Sequence, residues 1–198
     1  MSFVLASTSA SRRAMLDAAG IEHDAIPSGL DEDAAKAALA AEALKPRDLA
    51  DALAEMKALR AATRVPGTMV LGADSVVTLA DGTVLDKPVD RANATAHLRA
   101  MSGGRHDLFS AAVIVEDGRP VWRHVGHARL TVRSLSDGFI ESYLDAEWPA
   151  IAGCVGCFRI EGPGVQLFDR VEGDHWTILG MPLIEVARYL RQRGKLAA

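Results

Sequence analysis

The chain has 198 residues, 49% of them hydrophobic and 24% charged, with a net charge of −4 at neutral pH. That length can bury a sizeable core, and the balance excludes disorder, collagen and coiled coil. No apolar run nears the roughly 20 residues of a membrane span, mild acidity argues against wrapping nucleic acid, and two cysteines cannot staple a domain of this size.

The opening MSFVLASTSASRR sets its arginines after a short apolar stretch. That order is wrong for a secretory signal, so a cytoplasmic protein is expected. Residues 3–6 form the first predicted strand, and Ser7-Thr8-Ser9 offers capping hydroxyls to a helix that Gly20 closes. The alanine-rich stretch 33–44 reads as helix, and Pro46 starts another. In that second helix Leu49, Leu53, Met56 and the stem of Arg60 recur at helical spacing as a core-facing stripe, with Lys57 at its edge. A buried strand over 68–71 is expected to end in Gly72-Ala73-Asp74-Ser75, and Asp81-Gly82 marks a hairpin between 76–80 and 83–85. Residues 90–101 read as helix. A second hairpin joins 111–115 to 121–125 and runs on as strand over 127–133. Ser136 caps a helix carrying Phe139, Ile140, Tyr143 and Leu144. Strands over 158–161 and 165–171 are split by Gly162-Pro163-Gly164, and a last helix starts at Pro182. Strands alternate with helices throughout, and no linker or repeat divides the chain. The expected fold is α/β, one mixed twisted sheet with flanking helices.

Six groups of residues are candidates for chemistry. Ser7, Ser9, Arg12 and Arg13 gather hydroxyls, free amides and guanidiniums at a helix start, which is either an anion site or an ordinary capped helix. Asp74, read as following an apolar strand, either caps a loop or holds a cation and takes a proton from water. Lysine is scarce, and Lys57 and Lys87 can balance phosphate charge or simply be solvated. Asp31-Glu32-Asp33 reads first as favourable charge at a helix start and second as a metal site. Cys154 and Cys157 have C-x-x-C spacing but lack further zinc ligands and a following helix, so the pair reads as structural. His106 is a ligand or a loop hydrogen-bond partner.

The order of these signals resembles the Maf family of nucleoside triphosphate pyrophosphatases. It rests on Leu5-Ala6-Ser7-Thr8-Ser9, Arg12-Arg13, Leu53-Ala54-x-x-Lys57-Ala58 and Gly72-Ala73-Asp74-Ser75-Val76-Val77. Asp86-Lys87-Pro88, Ser102-Gly103-x-x-His106, Ile160-Glu161-Gly162, Gly173-Asp174 and Leu179-Gly180-Met181-Pro182-Leu183 continue it along nearly the whole chain. The resemblance implies hydrolysis of the α–β phosphoanhydride to a monophosphate and pyrophosphate, with Mg²⁺ or Mn²⁺. It also implies a single inosine-triphosphatase-like domain over 1–198 with a cleft between two lobes. Asp74 then matches the proton-accepting carboxylate, and Arg13, Glu32, Lys57 and Lys87 the other polar site residues, with Glu32 and Asp74 toward the metal. Ser11, Ser75 and Glu161 match positions linked with base selection. The stretch from Gly153 to Gly162 is similar to the 7-methylguanosine triphosphate branch and departs from the thymidine and uridine triphosphate branch. Ser11 and Ala10 depart from both. The expected partners are a nucleoside triphosphate and, as an open option, a second copy of the chain, with neither nucleic acid nor membrane. The alternatives are a dTTP/UTP pyrophosphatase, a nucleotide-binding regulator of cell division with little turnover, and a thiol-redox protein.

Overall fold

The computed structural model describes residues 3–197. Its strands are β1 (Phe3–Ala6), β2 (Asp24–Ile26), β3 (Met69–Leu79), β4 (Val84–Leu85), β5 (Arg105–Glu116), β6 (Arg119–Val132) and β7 (Phe168–Glu172). Its helices are α1 (Ala10–Ala18), α2 (Glu32–Ala40), α3 (Pro46–Ala62), α4 (Arg91–Met101), α5 (Asp137–Glu147), α6 (His175–Ile178) and α7 (Leu183–Gln192). Seven strands form one mixed sheet in the order β2-β1-β3-β5-β6-β7, with β4 beside β3. The β1 strand is parallel to both β2 and β3, whereas β4 on β3 and β7 on β6 are antiparallel. The expected mixed α/β sheet is therefore what forms. Among the described residues no helix is long and apolar enough to cross a membrane.

The chain folds as two compact units. One comprises the residues up to Ser75, Phe109–Gly126 and those from Asp174 on; the other comprises Val76–Leu108 and His127–Gly173. The first unit has its core around Phe3, Leu5, Leu16, Met69, Leu71, Ile114, Val186 and Leu190. In the second, Phe158 meets Phe168 edge-on at 4.9 Å between ring centres, and His106 lies 6.0 Å from each.

Three expectations give way here. The buried face of α3 is Ala50, Leu53, Ala54, Lys57, Ala58 and Ala61; of the expected stripe only Leu53 lies on it, with Leu49 and Met56 half-buried and Arg60 exposed. The cause lies in Gly72: a Cβ there would stand 2.2 Å from the Ala54 carbonyl oxygen, so α3 lies almost on the backbone of β3. Directly over Gly72 only the alanines Ala54 and Ala58 fit so narrow a gap, and Leu53 and Lys57 bury to either side of it. The strand expected to stop before Asp74 instead continues to Leu79, because Gly72 serves that close approach and not a turn. Residues 158–161 form no strand, and 163–167 coil into a 3₁₀ turn with Pro163 in its first position, so only Phe168–Glu172 remains extended.

Candidate active site

Side chains alternate along β3, so its two faces see different neighbours. Val70, Gly72 and Asp74 look toward α3, whereas Met69, Leu71 and Ala73 enter the main core. On the α3 side the Lys57 ammonium lies 2.5 Å from Asp74 Oδ1 and 3.0 Å from Glu32 Oε1. Lys57 and Asp74 are only 5% and 6% exposed, so this charge set is held almost out of water. Lys57 is thus central to the buried face of α3, not at a stripe's edge. Asp31 caps α2 by accepting from the Ala34 N–H at 3.0 Å, which leaves Glu32, the first helical residue, to reach Lys57.

The parallel register sets this site at a strand edge even though Asp74 is mid-strand. Leu5 pairs with Leu71 and β1 ends at Ala6, so Asp74 projects two residues beyond its neighbour. Ligands of α/β sheets bind at such carboxyl edges. The chain leaving β1 there turns into α1. Ser7 Oγ accepts from the Ser9 N–H at 3.1 Å, and Ser9 Oγ caps the helix by accepting from the Arg12 N–H at 3.4 Å. Each hydroxyl keeps its own O–H to donate. Arg13, on the same turn, is exposed.

The opposite face of β3 carries hydrogen bonds among hydroxyls, backbone carbonyls and the Arg12 guanidinium. Arg12 donates to the Gly180 carbonyl at 2.8 Å and to Ser75 Oγ at 3.1 Å, and Ser11 Oγ donates to the Leu179 carbonyl at 2.8 Å. Ser75 Oγ and Ser110 Oγ share a bond of 2.9 Å, and the fully buried Ser110 donates onward to the Thr177 carbonyl at 2.7 Å. Ser11, Arg12 and Ser75 are therefore brought together around the 177–180 turn. Of Arg12, expected among the anion-binding groups, Nε is engaged by that turn and Nη2 by Ser75. Ser110 was missed in the sequence; its one signal is a hydroxyl opening the apolar run 111–115.

The second unit holds Lys87 and Glu161, both exposed. Both act electrostatically on Cys154, whose thiol is raised by burial first and by Glu161 next, with Lys87 opposing. Burial pushes the Cys157 thiol up to about 12, with Cys154 adding to the shift. Such thiols hold little thiolate at neutral pH, which favours the structural reading over the redox one. His106 is 1% exposed, and neither ring nitrogen has a hydrogen-bond partner among the described residues. Burial depresses it to about 4, so it packs as a neutral ring and not as a loop hydrogen-bond partner.

The expected divalent cation can be tested against the donors. Among the described residues no three His, Cys, Asp or Glu side chains gather into a metal cage. Asp74 and Glu32 nevertheless bring two carboxylates, hard oxygen donors, to the same ammonium. That set suits a cation whose remaining positions are filled by phosphate oxygens and water, as Mg²⁺ prefers. The residues fit the group.

Fold and site together define an α/β protein with a buried lysine–aspartate pair, joined by the half-buried Glu32, at the edge of a parallel strand pair. The model of the Maf-like protein family matches residues 2–193, and the chain belongs to that family. It is 51% identical to a nucleoside triphosphate pyrophosphatase of Sphingopyxis alaskensis, over 98% of each chain. It is 45% identical to a 7-methyl-GTP pyrophosphatase of Mesorhizobium japonicum, over 98% of this chain and 96% of the relative. Among solved structures, a nucleoside-triphosphatase (dITP/XTP pyrophosphatase) of Mycobacterium abscessus aligns over 98% of this chain and 95% of its own, at 14% identity and a TM-score of 0.46. That last likeness is loose and says nothing of the site.

Proposed function

We propose that this chain is a nucleoside triphosphate pyrophosphatase that cleaves the α–β phosphoanhydride with a divalent cation, releasing a nucleoside monophosphate and pyrophosphate. The observation that carries the reading is the Lys57 ammonium held between Asp74 and Glu32 beside the N-terminal turn of α1. The names of the two close relatives support the reaction class, and 7-methyl-GTP is the substrate we favour.

Asp74 accepts the proton of the attacking water. Lys57 fixes the carboxylate's direction, and in so dry a setting its charge acts strongly on an incoming phosphate. The backbone N–H groups of the first α1 turn, with Ser7 and Ser9, donate to phosphate oxygens, and Arg13 adds charge there. Asp74 and Glu32 would hold the cation, which when bound polarises and orients the phosphate oxygens. In the second unit we assign Lys87 to neutralising phosphate charge and Glu161 to accepting hydrogen bonds from guanine N1–H and the 2-amino group. The reaction belongs in the cytoplasm, where thiols such as Cys154 and Cys157 stay reduced.

The test is a panel of GTP, 7-methyl-GTP, UTP and dTTP with Mg²⁺, scoring monophosphate and pyrophosphate separately. Equal yields of the two products, abolished by EDTA and restored by Mg²⁺, are expected, with 7-methyl-GTP hydrolysed fastest. Release of inorganic phosphate alone, or no product from any of the four, overturns the reading. A faster rate on UTP or dTTP overturns the substrate preference.

A further inference from the structure

In the second unit, α5 carries a polar group where a packed helix would ordinarily be apolar. Glu147, its last residue, is 3% exposed. It receives two parallel hydrogen bonds from Arg159, Nε to Oε2 at 2.8 Å and Nη2 to Oε1 at 2.9 Å. One turn earlier on the same helix, Tyr143 donates its hydroxyl to the Cys157 carbonyl at 3.0 Å. The intervening Phe158 is packed against Phe168 and His106. Three consecutive residues are thus each held by a different kind of contact.

Only the Glu147 end of this pair is buried, the Arg159 side chain being 38% exposed. Burying a carboxylate is a poor device for stability alone, since apolar residues of equal volume commonly do as well. What a bidentate guanidinium–carboxylate pair supplies is geometry. Here the geometry governs a turn. The Gly162 N–H donates to the Arg159 carbonyl at 3.2 Å, closing residues 159–162 with Glu161 in the third position. Gly164 presses on the other side of Arg159, where a Cβ would come within 2.4 Å of the Arg159 carbonyl oxygen. Neither the backbone nor the head group of Arg159 can shift alone, and Glu161 is presented exposed two residues further on. Hydrogen bonding to Glu147 holds the guanidinium above its ordinary value, and the charge of Glu161 adds to this, so the two acidic groups share one cation's field.

We propose that the Glu147–Arg159 pair is a positioning device for base discrimination: it locks the turn that presents Glu161 to the nucleobase. This rests on the reading of Glu161 under the proposed function. Neither Glu147 nor Arg159 is among the residues assigned to the phosphates above, so their loss should change which base is accepted and leave the chemical step alone.

The experiment compares wild type, Glu147→Gln and Arg159→Lys. Dissociation constants are measured for the α,β-methylene analogues of GTP and UTP, and kcat and KM separately for GTP, 7-methyl-GTP and UTP. Arg159→Lys, at a half-exposed position, remains informative should Glu147→Gln fail to fold. The expected result is about a tenfold fall in the preference for guanine over uracil, in both Kd and KM ratios, with kcat within about twofold. Arg159→Lys, which keeps the charge and one contact, should fall between wild type and Glu147→Gln. Folded variants whose guanine-to-uracil ratio equals that of wild type overturn the inference, as does an equal loss on every nucleotide. A wild type that binds the analogues without turnover removes the hydrolase reading alone and leaves the Kd ratios to decide this one. A wild type that binds neither analogue overturns both.

Discussion

Asp74 and Ser75 are neighbours in the chain, yet they look out of opposite faces of β3. Toward α3, Asp74 meets charge: an ammonium at 2.5 Å and, through it, a second carboxylate. Toward α1 and the 177–180 turn, Ser75 meets hydroxyls, carbonyls and one guanidinium that ties neutral groups together. The charged face sets two carboxylates around one ammonium, the arrangement on which the proposed cation and triphosphate roles rest. The other face, neutral in all but Arg12, ties Ser11, Arg12, Ser75 and Ser110 to one another and to backbone carbonyls. On the proposed function, chemistry belongs to the first face.

The strongest way to break this contrast is to remove its central cation. Lys57→Met leaves Asp74 and Glu32 facing each other with no ammonium between them. A loss of about 3–5 kcal/mol in stability is expected from urea unfolding, together with a fall of about 10³-fold in kcat. A variant as stable and active as wild type would show that the pair is ornamental.

The next effect concerns a buried polar group that belongs to neither face. His106 titrates at about 4 in the folded protein and near 6.5 when unfolded. Between those values the unfolded chain binds more protons, so stability is full above pH 6.5 and falls by about 3 kcal/mol as pH drops toward 4. His106→Leu should flatten that limb of a plot of unfolding free energy against pH. An unchanged slope would mean that other groups set it.

Smaller still is Gly72→Ala. Its new Cβ would meet the backbone oxygen of Ala54 and, at 2.7 Å, the backbone nitrogen of Ala58, neither of which can swing away. The variant should lose about 2 kcal/mol and push α3 from β3, lowering kcat through Lys57 while leaving the neutral face intact. Least of all, Ser110→Ala removes the bonds to Ser75 and to the Thr177 carbonyl, with an expected loss of about 1–2 kcal/mol and kcat within about threefold. A greater kinetic loss at Ser110 than at Gly72 would reverse the proposed division between the two faces.

Much of this architecture is legible in the chain because local signals agree with the tertiary result. Ser9, Asp90 and Ser136 cap the helices they precede, and Asp117-Gly118 closes the β5–β6 hairpin with both residues at positive φ. The failures share a cause: a local signal serving a distant partner. Gly72 reads as a strand end until α3 is laid against it, and the alanines of α3 carry no apolar period that large residues would reveal. Gly162-Pro163-Gly164 reads as a break between strands, whereas Gly164 is small because Arg159 lies against it. At the site, the Lys57–Asp74 pairing follows once both are placed in the Maf-like pattern, but the share taken by Glu32 depends on Asp31 doing the capping. Glu147 had no sequence signal at all, since a glutamate closing a helix looks solvated until its burial is known.

The most direct measurement sets the two sides of β3 against each other in one assay. Asp74→Asn and Ser75→Ala are compared for pyrophosphate release from 7-methyl-GTP at saturating Mg²⁺, with folding verified by circular dichroism. The account predicts a fall of about 10³-fold in kcat for Asp74→Asn and less than about tenfold for Ser75→Ala. Equal losses in the two variants, or an active Asp74→Asn enzyme, would contradict it.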